Sequence, residues 1–199
     1  MTATVRRPAA ALSALAGSHA LRIETGIDID DDAAVARLRT GLGEEPDFDP
    51  VFVVAGVATQ AGMPASQMSG EVAGAVFQTN APSPVRFAES FYHRVAPDGL
   101  IVPMTSKLGS VSLNRGGWSR CRAGKAALNT LARSFAGQHA GAAWCLVLMH
   151  PGWVRTDLGG RRATLNVETS DRGMVSVIEA RQGQRGCAFL DYTGATMPW

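Results

Sequence analysis

Cysteine is scarce in this sequence: Cys121, Cys145 and Cys187 are an odd number at wide spacing. Neither a disulfide framework nor a zinc cluster is indicated, and a reducing cytoplasm is the expected setting. Charge is sparse as well. Only 18% of the 199 residues are charged, and 19 Lys and Arg against 17 Asp and Glu leave a formal net charge of +2. That balance lacks the positive excess of a chain whose main partner is nucleic acid. No apolar run approaches the ~18 residues of a membrane span. The four histidines, His19, His93, His139 and His150, stand apart from one another and from the cysteines, so no metal site is expected.

What is present is a 46% hydrophobic fraction, enough to bury one core, and a single domain over residues 1–199 is expected. Arg6-Arg7 followed by an Ala-rich stretch superficially copies a secretory signal. The stretch holds only two leucines, Leu12 and Leu15, and Pro8 suits the first turn of a helix. Residues 2–5 therefore read as a strand and 9–16 as a helix closing at Gly17. A second strand at 21–27 leads through the acidic run 28–32 into a helix with a Val35, Leu38, Leu42 stripe. After a turn at 47–50, the unbroken apolar run 51–55 has the look of a strand covered on both faces. Small and polar residues at 60–70 suggest a loop or a frayed helix start. Helical spacing over 71–95 is interrupted by Pro82 and Pro84, which predicts a kinked helix or two pieces. Strands at 99–104, 143–149 and 187–190 alternate with helices at 119–140 and 169–180. The alternation predicts an α/β fold with an open, mostly parallel sheet.

In such a sheet ligands sit beyond the carboxyl ends of the strands, so the residues after each apolar run carry most information. These are Ala55-Gly56, the segment from Thr105 to Ser110, Cys121 to Lys125 at a helix start, and His150 to Asp157. With Arg6 to Pro8, Asp28-Ile29, Asn80, Gly116-Gly117-Trp118, Lys125 to Asn129, Phe189 to Tyr192 and Pro198-Trp199, these segments resemble the short-chain dehydrogenase/reductase family. The likeness is to its C-factor-like (C-signal-like) branch and spans nearly the whole chain.

The resemblance implies a Rossmann-like doubly wound sheet and a nicotinamide cofactor, NADP or NAD. It implies a serine and a tyrosine on a substrate carbonyl, a lysine that lowers the tyrosine pKa, and an asparagine in a proton relay. Ser106 matches the serine, Lys125 the lysine and Asn80 the asparagine. Cys121 stands at the tyrosine position, four residues before the lysine, and Tyr92 and Tyr192 fall elsewhere. The cofactor-binding residues implied are Arg6, Asp28, Ala55, Gly56, Lys125, Pro151, Gly152 and Thr156, with residues 158–166 as a substrate lid. Val53-Val54 replace the family's paired asparagines. The match starts at the family's second strand, and neither Gly-x-x-x-Gly-x-Gly nor Gly-x-Gly-x-x-Gly occurs. The first βα unit is therefore expected to be lacking from the fold, or to lie upstream of the first residue.

Two readings of the function follow. One is a weak or inactive relative acting by binding or oligomerisation, with helices 71–95 and 119–140 as the contact surfaces of a homo-oligomer. The other is an NADP(H)-dependent carbonyl reductase or alcohol dehydrogenase acting on a small substrate. Individual residues carry alternatives too. Arg6 binds a 2′-phosphate or is solvated; Asp28 meets adenine or caps the next helix; Ser106 is a substrate donor or a turn residue. Lys125 holds a ribose or is a helix-start charge, Cys121 is a reactive thiol or a small filler, and Asn80 serves the relay or bonds the backbone beside Pro82.

Overall fold

The computed structural model describes residues 1–16, 20–43, 48–59 and 63–199, with nothing to be said of the Ala11 and Ala65 side chains. The helix stop expected at Gly17, the turn residue Asp47 and the loop start at 60–62 lie outside the described residues. The chain divides into two compact units, Met1–Glu45 and Pro46–Trp199.

In the first unit, β1 (Thr2–Val5) pairs in parallel with β2 (Arg22–Thr25), in register from Thr2 opposite Arg22 to Val5 opposite Thr25. A short helix, α1 (Ala10–Ala16), connects them. The acidic run does not enter the next helix directly. Asp28 closes a turn by accepting from the Asp30 amide at 3.0 Å, and Asp31 caps α2 (Asp32–Leu42) by accepting from the amides of Ala33 and Ala34. The cap is thus Asp31 rather than Asp28: Asp31, with an extended backbone, directly precedes the helix and aims its carboxylate at the first free amides. Ile27, Ile29, Ala34, Val35 and Leu38 bury the apolar stripe of this unit.

The second unit holds a four-stranded parallel sheet in the order β3 (Val51–Val53), β4 (Leu100–Pro103), β5 (Cys145–His150), β6 (Gly186–Asp191). Every residue of β4 and β5 is buried, as their continuous apolar sequences require. The packed helices are α3 (Gly70–Asn80), α4 (Pro82–Phe91), α5 (Ser119–Gln138) and α6 (Val167–Arg181). The interrupted helix is two pieces. Pro82 has no amide proton to continue α3, and Ala81 breaks the helix with φ −130° and ψ −71°. Leu100, Val102, Cys145, Val147, Met149 and Leu190 form one core cluster with Met174 and Val177 of α6.

The parallel α/β arrangement expected from the sequence is present, and among the described residues the strands form two parallel sheets, β1-β2 in the first unit and β3-β4-β5-β6 in the second. β3 is shorter than the apolar run 51–55, since Val54 and Ala55 leave the ladder and Val54 is exposed. No helix among the described residues is long and apolar enough to cross a membrane.

Leu146 is fully buried between strands, so Leu146→Ala should cost about 2–5 kcal/mol in urea unfolding. Val175→Ala, on an exposed face of α6, should cost less than about 0.5 kcal/mol.

Candidate active site

Because β3 to β6 are parallel, their carboxyl ends share one end of the sheet, and the segments leaving them can meet there. The meeting is held by an amide clamp. Asn80, the last residue of α3 and fully buried, donates from Nδ2 to the Val57 carbonyl at 2.7 Å and accepts from the Val57 amide at Oδ1 at 2.8 Å. The backbone beside Pro82 is not its partner. The clamp fixes the chain just beyond β3, where Gly56 lies bare. A Cβ on Gly56 would stand 3.1 Å from Asn80 Oδ1 and 3.4 Å from Lys125 Nζ, so Gly56, Asn80 and Lys125 converge.

Two further glycines let α5 into this position. A Cβ on Gly124 would stand 3.2 Å from Asn80 Cβ, and one on Gly109 would press to 2.8 Å from the Lys125 carbonyl. Lys125 then donates from Nζ to the Met104 carbonyl at 2.8 Å. Burial of the ammonium lowers its pKa to about 8, against an opposing pull from Cys121. Cys121 lies one turn before it on α5 and is half-buried. Burial raises the thiol pKa, while the charges of Lys125 and then Arg122 draw it back. Thr105 and Ser106 follow β4. Thr105 donates to Asn129 Oδ1 at 2.6 Å, and Ser106 caps the short turn Lys107–Gly109 by accepting from the Leu108 amide at 3.2 Å.

The segment after β5 is folded tightly on itself. Gly152 takes φ +85°, and a Cβ there would collide with Leu165. Val154 bridges Leu165, Thr156 Oγ1 accepts from the Gly159 amide at 3.1 Å, and Ser170 on α6 donates to the Pro151 carbonyl at 2.7 Å. Pro151, Gly152 and Thr156 therefore belong to a braced loop, while Ala55 is half-buried beside Gly56. Arg6 and Asp28 lie in the first unit, paired at 3.7 Å with both side chains well exposed.

Three contributors were given no role by the sequence reading, although two of them stand in segments it named. Asn129 stands one turn beyond Lys125, buried, with its Nδ2 unpartnered. The signal for it was the four-residue spacing on α5. The Met104 carbonyl left no signal. His150 ends β5, buried with Nδ1 unpartnered. Its pKa is lowered to about 4 by burial, then by Lys107, against Asp191.

A sequence profile described as enoyl-(acyl carrier protein) reductase matches residues 2–182. C-signal of Myxococcus xanthus is 37% identical over 126 residues, covering 62% of this chain and 76% of that protein. A Burkholderia multivorans structure described as a short-chain dehydrogenase/reductase with bound NADP superposes with a TM-score of 0.92 at 38% identity, covering 100% of this chain and 87% of its own. A carbonyl reductase from Pseudomonas aeruginosa PAO1 in complex with NADP gives 0.90 at 35% identity, with the same two coverages.

His150 sets a pH dependence. Below about 6.5 the unfolded chain binds a proton that the folded chain refuses until about 4, so stability is full above that window and falls through it. The loss should approach roughly 3 kcal/mol at its lower end. Urea unfolding between those pH values should show the slope in the natural chain and lose it in His150→Gln.

Proposed function

The chain belongs to the short-chain dehydrogenase/reductase family, and from that premise we propose that its second unit carries an NADP(H)-linked carbonyl/alcohol oxidoreductase site slowed by a thiol in the acid–base position. The observation that carries this reading is the convergence of Gly56, Asn80 and Lys125 beyond β3 and β4, with Cys121 one turn away.

The residues suit the nicotinamide-ribose end of such a cofactor. Gly56 leaves an uncovered backbone between an amide oxygen and an ammonium, and the braced loop from Pro151 to Thr156 follows β5, two strands from β3 at the same end of the sheet. NADP(H), when bound, supplies or accepts the hydride. No glycine-rich strand-to-helix turn for its diphosphate occurs in the sequence, so weak binding is part of the proposal.

The chain's own groups manage the proton. Ser106 accepts from Leu108, which orients its oxygen and leaves its O–H to donate to a carbonyl oxygen. Cys121, held protonated at neutral pH by burial, is the proton donor toward the alcohol and, once ionised, the acceptor from it. Lys125 carries a positive charge below about pH 8 and stabilises the thiolate that donation leaves. The weakness is reach. A cysteine sulfur lies one bond beyond Cβ, whereas a phenol oxygen projects across a ring, and proton transfer needs hydrogen-bond contact.

Oligomerisation without turnover is the second reading. Phe77 on α3 and Leu131 on α5 are exposed apolar residues on the helices expected to pair copies of the chain.

Cys121→Tyr should raise kcat for NADPH-dependent reduction of a small aldehyde by about 10²–10⁴. Calorimetry should find weak NADPH binding in both proteins. If neither binds NADPH, or if the tyrosine variant binds it and turns over no faster, the oxidoreductase reading fails. Sedimentation of the natural chain beside Phe77→Glu and Leu131→Glu then decides the second reading.

A further inference from the structure

The near-neutral total charge conceals a strong asymmetry. Residues 105–125 and 150–166 hold eight of the 19 Lys and Arg but only one of the 17 Asp and Glu, Asp157. The remainder of the chain is therefore acidic. Both segments leave the carboxyl ends of neighbouring parallel strands, β4 and β5, so the excess positive charge gathers at the end of the sheet where the candidate site lies. Lys125 and Arg120 are enclosed there. Lys107, Arg115, Arg155, Arg161 and Arg162 are exposed, and Arg122 is half-buried.

Acidic residues at this end, Asp157, Glu168 and Asp171 at the start of α6 and Asp191 at the end of β6, are fewer than the basic ones. Arg6 pairs with Asp28, Arg22 with Glu24 and Arg172 with Glu168, and the exposed Lys107, Arg115, Arg161 and Arg162 belong to none of these pairs. Arg122 and Arg155 each donate Nε to a backbone carbonyl at 2.9 Å, to Gly117 and Ala163 respectively. Those bonds fix the stems and leave the terminal nitrogens as donors, the arrangement that suits a carboxylate or phosphate. Positive charges that outnumber their counter-charges repel one another and attract anions.

The same segments expose apolar surface. Val111, Leu113, Trp118, Trp153 and Leu158 are all large and exposed. Trp153 Nε1 donates to the Gly159 carbonyl at 2.9 Å, which anchors its ring. Trp118 holds φ 57°, the one non-glycine residue at positive φ among the described residues, directly after Gly116 and Gly117 at φ 88° and 67°. A bulky side chain kept in that region is strained, and the surrounding structure must offset the strain.

We propose that the substrate of this site is an anionic carbonyl compound with an apolar body, its carboxylate or phosphate held by the basic rim of residues 105–125 and 150–166 and its body laid on the neighbouring apolar side chains. The chemical step rests on the oxidoreductase reading; the anion preference does not.

The test uses the full chain and two fluorescent probes of one shape, anilinonaphthalene sulfonate and uncharged N-phenylnaphthylamine. At low ionic strength the sulfonate should bind about tenfold more tightly, and the difference should collapse near 0.5 M salt. Arg115→Glu and the pair Arg161→Glu with Arg162→Glu should weaken sulfonate binding at least about fivefold, leaving the uncharged probe and the thermal transition unchanged. Equal affinity for both probes, or charge reversal without effect, overturns the proposal. So does complete displacement of the sulfonate by excess NADP⁺, which would assign the charge to the cofactor. In turnover, an oxo acid should exceed its methyl ester in kcat/KM. A chain that prefers the sulfonate yet fails to bind NADPH sinks the oxidoreductase reading alone; one that reduces acid and ester equally sinks only the anion preference.

Discussion

The close approach of α5 to both α3 and the turn after β4 is the constraint from which the candidate site follows. Two positions make it possible by having no side chain: Gly124 lies against Asn80, and Gly109 lies against the Lys125 backbone. With α5 seated, Lys125 reaches the Met104 carbonyl and Asn80 is close enough to share the space over Gly56. Asn80 in turn holds the chain beyond β3 through both halves of its amide. A fully buried amide with both polar atoms satisfied is stiff, because either bond lost would strand a desolvated group.

The electrostatics of that end have one dominant cause. Burial acts on Lys125, Cys121 and His150 alike and favours the neutral form of each. Neighbouring charges modify the effect: Lys125 and Cys121 favour each other's ionised form, while Lys107 pushes His150 further down. A lysine near 8 one helical turn from a thiol whose pKa burial raises is the pair on which the proposed proton transfer rests. The exposed basic residues of the same segments act over a longer range, on whatever diffuses toward the site.

The strand-helix alternation was legible because buried parallel strands are continuous apolar runs and amphipathic helices are periodic, both local properties. The break at Ala81-Pro82 was legible for the same kind of reason, since proline removes a donor wherever it stands. Asp28 was one candidate cap among similar aspartates, and residue type could not choose between them; the cap is Asp31, which directly precedes the helix. The partner of Asn80 was missed altogether. Val57 lies 23 residues earlier, and no local pattern records a contact formed only when the end of α3 meets the segment beyond β3. Asn129 was within reach through helical spacing, but its bond to Thr105 spans 24 residues.

Residue order alone determined the kind of elements, their sequence along the chain, the position of Ser106 after a strand, and the pairing of Cys121 and Lys125 on one helical face. These depend on interactions within a few residues. Tertiary structure decided that the strands form two parallel sheets, that Asn80 clamps Val57, that Lys125 is buried against Met104, and that scattered arginines gather at one sheet end. Each of these joins segments far apart in the chain, and such joins are governed by packing geometry and desolvation, which no short stretch of sequence contains.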